Sequence, residues 1–274
     1  VSIDWTNVHP GRVVGVLTAI MLGVLDSASA QSTDRDLAQE VVNPVSNIIQ
    51  VPLEFDFDRN LGATGEGDRV TLNVKPVIPF PVGTDWMLIS RTVLPIIYGD
   101  DVVPGSSQFG IGDVLQTFFL APVPKEGDVI WGVGPAFLLA TGKSELSANQ
   151  SSGGLNAVAL RQENGWTYGA LVQHLWGIGS VGSSGSDVDL TLLQPFLVYT
   201  TPTRWSFGVT SEATYDWSDD QESIPITLTV GKLTSVFDRP ISIGASARNW
   251  ARSPEFGPEG WALRVTVTLI LPGG

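Results

Sequence analysis

The sequence predicts an all-β chain closed into an antiparallel transmembrane barrel of about twelve strands, preceded by a short helix. Three observations carry that expectation. The stretch from Trp205 to Trp217 sets Ser206, Gly208, Thr210, Glu212, Thr214 and Asp216 against Trp205, Phe207, Val209, Ser211, Ala213, Tyr215 and Trp217. A period of two is a strand with two unlike faces, and an apolar face with aromatics at both ends suits a bilayer crossing. Composition agrees: 43% of residues are hydrophobic and 16% charged, where an average soluble domain is roughly 25% charged. Finally, short and long connections alternate along the chain, which places every short turn at one end of a barrel.

Residues 1–30 read as a secretory signal peptide. His9 and Arg12 lie in a weakly basic start, Val13 to Leu25 is largely apolar, and Ala28-Ser29-Ala30 is a small-residue cleavage pattern. The apolar run falls short of the ~20 residues that a spanning helix needs. Residues 31–49 form a leader in which Leu37, Ala38, Val41 and Val42 have helical spacing, and the helix should end near Pro44. It could cover the barrel's inner mouth or hang loose. Residues 50–274 then supply the barrel.

Strand-like segments fall near 50–58, 69–81, 85–98, 110–122, 129–141, 154–162, 166–178, 187–200, 204–217, 223–236, 240–251 and 260–272. Several alternate clearly. Val51, Leu53, Phe55 and Phe57 oppose Pro52, Glu54, Asp56 and Asp58; Leu263, Val265, Val267, Leu269 and Leu271 oppose Arg264, Thr266 and Thr268. The segments at 85–98, 110–122, 129–141 and 187–200 alternate poorly. Pro76, Pro95, Pro135, Pro195 and Pro225 lie inside strand segments; each removes a ladder donor and predicts a bulge or bend. Trp86, Trp131, Trp166 and Trp205 each follow a short turn, which predicts an aromatic girdle at that interface.

Across these segments the chain resembles an outer-membrane transporter family named for a meta-pathway of phenol degradation and also labelled neuromedin U-like. The resemblance is carried by Asn43-Pro44-Val45, Asn73-Val74-Lys75-Pro76-Val77-Ile78-Pro79, Ser90-Arg91-Thr92-Val93-Leu94-Pro95 and Gly110-Ile111-Gly112-Asp113. Trp131-Gly132-Val133-Gly134-Pro135, Trp166-Thr167-Tyr168-Gly169 and Leu193-Gln194-Pro195-Phe196 continue it in family order. It implies a barrel in the outer membrane of a Gram-negative-type bacterium and, by the family label, uptake of aromatic compounds. It brings no catalytic motif. Where outer-membrane barrels often end on an aromatic residue, this chain ends Leu269-Ile270-Leu271-Pro272-Gly273-Gly274.

With the polar face inward, Glu54, Asp56, Lys75, Glu212, Asp216, Arg248 and Arg264 should line the lumen, joined by Arg91, Gln116 and Gln194 on the poorly alternating strands. Such residues either line a path for solute or brace a plugged, structural barrel. An outer-membrane lipid enzyme is the third reading. It needs a hydroxyl and an imidazole in hydrogen-bond reach at the lipid boundary; beyond the signal peptide the one histidine is His174, whose parity places it with Trp166 and Tyr168, toward lipid. The expected partners are therefore outer-membrane lipid and a small-molecule solute. A net charge of −13 argues against a nucleic-acid partner. With no cysteine there is no disulfide and no thiolate metal site, and no cofactor or metal is expected. The acids of Asp216, Asp219, Asp220 and Glu222, and of Asp100 and Asp101, have no metal-loop spacing and read as solvated loops. Gly110-Ile111-Gly112 and Gly132-Val133-Gly134 lie in strands, not before helices, so they are not phosphate loops.

Overall fold

The structure, a computed structural model, describes residues 31–125, 127–143, 145–180 and 187–271. The expected signal peptide lies outside the described residues. Helix α1 (Gln31–Val41) comes first, one turn short of Pro44. The strand segments follow as β1 (Ile49–Leu61), β2 (Gly67–Val74), β3 (Val77–Val82), β4 (Trp86–Asp100), β5 (Ser107–Ile111), β6 (Val114–Pro122), β7 (Ile130–Leu139) and β8 (Gln150–Glu163). Then come β9 (Trp166–Ser180), β10 (Asp189–Thr200), β11 (Trp205–Thr210), β12 (Ala213–Asp216), β13 (Gln221–Val236), β14 (Arg239–Arg252) and β15 (Trp261–Leu271).

Three pairs of segments are single crossings with a local break: β2 with β3, β5 with β6, and β11 with β12. Both halves of each pair run along the same neighbouring strand, β4 for the first two and β10 for the third. The result is a closed antiparallel barrel of 12 strands, sealed where β1 meets β15 with Ile49 opposite Leu271. Closure removes the sheet edge, whose bare N–H and C=O groups would cost several kcal/mol each in lipid.

The breaks follow the prolines. Pro76 separates β2 from β3, and Thr92 N–H donates to its carbonyl instead of continuing a regular ladder. The β5/β6 break faces Pro95, which accepts from Gly112 N–H; the β11/β12 break faces Pro195, which accepts from Ser211 N–H. Pro225 marks a register shift against β14. At Pro135 the β6–β7 ladder lapses between Thr117–Ala136 and Leu120–Val133. There β7 runs so close to β6 that a Cβ on Gly134 would lie 2.1 Å from the Phe118 carbonyl oxygen.

All short turns sit at the end where β1 begins and β15 ends. Asn164 and Gly165 close one of them with φ of 51° and 88°, the two positive values that a type I′ hairpin turn needs. Trp86, Trp131, Trp166 and Trp205 stand just beyond these turns with their rings outward. Trp86 meets Trp131 edge-on at 6.0 Å, and Trp166 meets Tyr199 at 4.8 Å. At the opposite end Tyr98, Phe109, Trp176, Trp217 and Trp261 are exposed on the wall. Between the two girdles the outward positions are mostly apolar, with Ser90, Thr92 and Gln116 as a mutually bonded polar exception, which is the profile of a lipid-facing band.

The interior departs from a uniformly polar lumen. Inward residues of β3, β4 and β6–β9 form a buried cluster of Val77, Ile89, Phe119, Ala121, Ile130, Val158, Leu160 and Leu171, and Val45 from the leader packs into it. These strands are apolar on both faces, which is why several of them alternate poorly. Helix α1 sits inside the short-turn end, with Ala38 buried against Leu233 and Ile270 and with Gln162 Nε2 donating to the Gln39 carbonyl at 2.9 Å.

Candidate functional site

The charged half of the interior lies opposite this apolar half. The register of β1 brings Glu54, Asp56 and Asp58 to one face, beside Asn73, Thr71 and Arg69 of β2 and Thr266 and Arg264 of β15. Asp56 is the hub. Its carboxylate accepts from Arg264 Nε at 2.6 Å and Nη2 at 3.1 Å, from Arg248 Nη2 at 2.9 Å and from Asn73 Nδ2 at 3.0 Å. Glu54 takes Lys75 Nζ at 2.5 Å and Arg264 Nη1 at 3.3 Å. Asp58 pairs with Arg69 at 3.2 Å and Arg248 at 3.7 Å. Glu212, arriving from the β11/β12 break, reaches Arg264 at 3.4 Å and Arg248 at 4.0 Å. The strands β13 and β14 separate the β11/β12 crossing of Glu212 from β15 along the wall, so Glu212 and Arg264 meet across the interior. The Arg248 guanidinium also lies over the Trp250 ring, 5.5 Å from its centroid, a cation–π contact.

Two cavities flank this belt. The outer one, about 250 Å³, is lined by Lys75, Arg91, Glu212 and Arg264 on one side and by Leu115, Phe119, Leu171 and Leu192 on the other. The inner one, about 210 Å³, lies between α1 and the wall, with Glu54, Thr266 and Thr268 among its lining. Along β15, Arg264 bounds the outer cavity while Thr266 and Thr268 bound the inner one, so the belt stands between them.

Nine of the expected lumen residues fall on the inward parity. Glu54, Asp56, Lys75, Glu212, Arg248 and Arg264 meet in the belt, and Arg91 and Gln194 line the outer cavity. Asp216 shares that parity, but its carboxylate caps the outer turn by accepting from Ser218 and Asp219 N–H. Gln116 is a correction. It pairs with Thr92 across β4, on the face opposite Arg91 and Thr117. Its amide bonds Ser90 Oγ at 3.0 Å and Thr92 Oγ1 at 2.6 Å, and its Nε2 also reaches the carbonyls of Arg91 and Thr117. An outward amide survives in lipid because its neighbours satisfy it. Asp58, Arg69 and Asn73 complete the belt and were absent from the expected set, although the alternation of β1 and β2 places them on the same face.

His174 faces outward near the long-loop end. Its Nδ1 lies 2.7 Å from Thr191 Oγ1 and its Nε2 3.2 Å from Asp189 Oδ1, while Trp217 Nε1–H donates to Thr191 at 2.9 Å. This chain of bonds ties the outer ends of β9 and β10 to the loop after β12, which carries Trp217. The loop acids are taken up by turns: Asp101 accepts from Gly105 N–H, and Tyr215 O–H donates to Asp220. At the inner end Glu40 accepts from Ser46 Oγ at 3.0 Å and Asn47 N–H at 3.4 Å. Burial nonetheless raises its pKa above the ordinary carboxylate value, with Asp36 adding to the rise.

A closed barrel with an apolar band, two aromatic girdles and a charged interior is an outer-membrane β-barrel. Its fold matches an outer membrane channel from Pseudomonas putida F1, at 14% identity over 84% of this chain and 97% of that one, with a TM-score of 0.65. Looser likenesses include the outer membrane phospholipase of Salmonella typhi, crystallised as a dimer with calcium (15% identity, 89% and 99% covered, TM-score 0.46). Another is the KdgM porin in complex with oligogalacturonate (12% identity, 81% and 99% covered, TM-score 0.42). No protein-family profile matches the chain, and no curated protein does. The resemblance to the phenol-degradation family therefore rests on the sequence motifs.

Proposed function

We propose that the protein is a passive outer-membrane channel that admits small solutes, with no catalytic role. The observation that carries this reading is the pair of cavities in series along the barrel axis, separated by a belt of charged side chains. A belt of this kind sets the potential that a passing solute meets. The apolar half of the outer cavity favours solutes with an apolar body, which agrees with the aromatic compounds implied by the family resemblance. The lining residues in this reading are Glu54, Asp56, Lys75, Arg91, Gln194, Glu212, Arg248 and Arg264, with Asp216 at the outer rim.

A second reading, a structural barrel with a plugged lumen, is favoured by α1 and Val45, which fill the short-turn end. Planar-bilayer recordings on the folded protein, beside a variant lacking residues 31–48, separate the two. A channel conducts in both forms, with the larger conductance in the truncated one. A plugged barrel conducts in the truncated form alone.

A further inference from the structure

Resting on the channel reading, we propose that the outer cavity is a binding site for a small monocarboxylate with an apolar body, its carboxylate held by Arg91. The belt leaves Arg91 over. Lys75, Arg69, Arg248 and Arg264 are each paired with at least one of Glu54, Asp56, Asp58 and Glu212. Arg91 stands in the wall of the same cavity with no carboxylate in ion-pair reach among the described residues. Within the belt and the cavity wall five cations stand against four carboxylates, while the inward-parity acids farther out, Asp113 and Asp216, are engaged by backbone N–H groups of the outer loops.

The surroundings of Arg91 fix the ligand class. Leu115, Phe119, Leu171 and Leu192 present an apolar surface across the cavity, which suits a ring or a short chain. Glu212 in the same wall acts on Arg91 through space, but the cations at ion-pair distance from it are Arg264 and Arg248, so the Arg91 fork keeps its donors for a ligand. A guanidinium presents a planar fork that matches a carboxylate with two parallel hydrogen bonds. The volume of about 250 Å³ lies below the roughly 300–1,000 Å³ of common ligand pockets, which limits the ligand to a small acid. The acidic outer loops do not cancel the site. Asp100 and Arg91 are nine residues apart on β4, about 30 Å of strand, against a screening length of about 8 Å at physiological ionic strength.

The test is equilibrium dialysis of folded, detergent-solubilised protein with radiolabelled benzoate, and separately with benzyl alcohol, the neutral analogue of similar shape. Benzoate should bind the wild type and bind Arg91→Gln about tenfold or more weakly, as expected for loss of a charge-assisted contact. Benzyl alcohol should bind both forms weakly and equally. Arg91→Lys keeps the charge, loses the fork and should fall between them; if Arg91→Gln does not fold, weaker benzoate binding to Arg91→Lys than to the wild type supports the site in its place. No benzoate binding to the wild type, or equal binding to every form, overturns the site. Because dialysis needs no transport, binding without solute flux would leave the site standing and remove the channel reading. Flux without binding would do the reverse.

Discussion

Replacing Asp56 by Asn keeps the size of the belt's hub and removes its charge. The wild-type carboxylate accepts four hydrogen bonds from two guanidiniums and one amide, and its side chain is 5% exposed. The variant leaves Arg248 and Arg264 facing an amide, with Arg264 keeping Glu54 and Glu212 and Arg248 keeping only longer contacts to Asp58 and Glu212. Removing one partner of a buried ion pair costs about 3–5 kcal/mol. The cavities on either side admit water to the stranded cations, which places the expected loss near the low end, about 3 kcal/mol, or roughly a hundredfold in the folding equilibrium. Reversible unfolding in urea and detergent, followed by fluorescence of the barrel's tryptophans, measures it. Adding Arg264→Met removes the second charge as well and should recover about 1–3 kcal/mol, a coupling expected of residues in one network. A loss within about 0.5 kcal/mol, the range of an ordinary surface substitution, together with zero coupling, would refute the claim that the belt is a buried, mutually dependent network.

The assignment of faces is tested by three arginines. Val267→Arg and Gln116→Arg point into lipid and should each cost about 2–4 kcal/mol near the midplane, while Thr266→Arg enters the inner cavity beside Glu54 and should cost much less; equal penalties in the same unfolding assay would show the faces misassigned. Glu40 predicts a pH effect on the seating of α1. Its carboxyl binds a proton more readily in the folded state than when unfolded, so the stability it contributes is full at low pH and declines as pH rises through its raised pKa. Trypsin cleavage after Arg35, which needs α1 to leave its seat, should therefore speed up with pH more in the wild type than in Glu40→Gln; parallel profiles would contradict this. The dialysis of benzoate against Arg91→Gln adds the prediction for the outer cavity.

The barrel was legible because its signals are local. Alternation over Val51–Asp58 and Leu263–Thr268 and turn chemistry at Asn164-Gly165 need no knowledge of distant residues, and the proline breaks were visible for the same reason. Strand ends shifted by a few residues, as at Gln150, where β8 begins four residues before the expected segment. The site was legible where charge and alternation agreed, as at Glu54, Asp56, Arg248 and Arg264. It failed at Gln116 because polar residues occupy both faces of β4 and β6. Ser90 and Thr92 point outward beside Arg91 pointing inward, and only the cross-strand register tells which face Gln116 joins. The apolar half of the lumen was hidden because its strands are apolar on both faces, so alternation does not tell the inward set from the outward one, and because Val45, which packs into it, lies outside the barrel strands in sequence. The pairing of Glu212 with Arg264 links positions 52 residues apart and emerges only when the barrel closes.

The central claim is that solutes cross the lumen past the charged belt, and ion selectivity in planar bilayers tests it most directly. Wild-type protein should conduct across a salt gradient, and Glu212→Gln should move the reversal potential toward anions, because it deletes a carboxylate from the belt while Arg264 and Arg248 stay. Asp216→Asn should move it less, since that carboxylate caps an outer turn. No conductance from well-folded wild type, or conductance whose selectivity is unchanged in Glu212→Gln, would contradict the account.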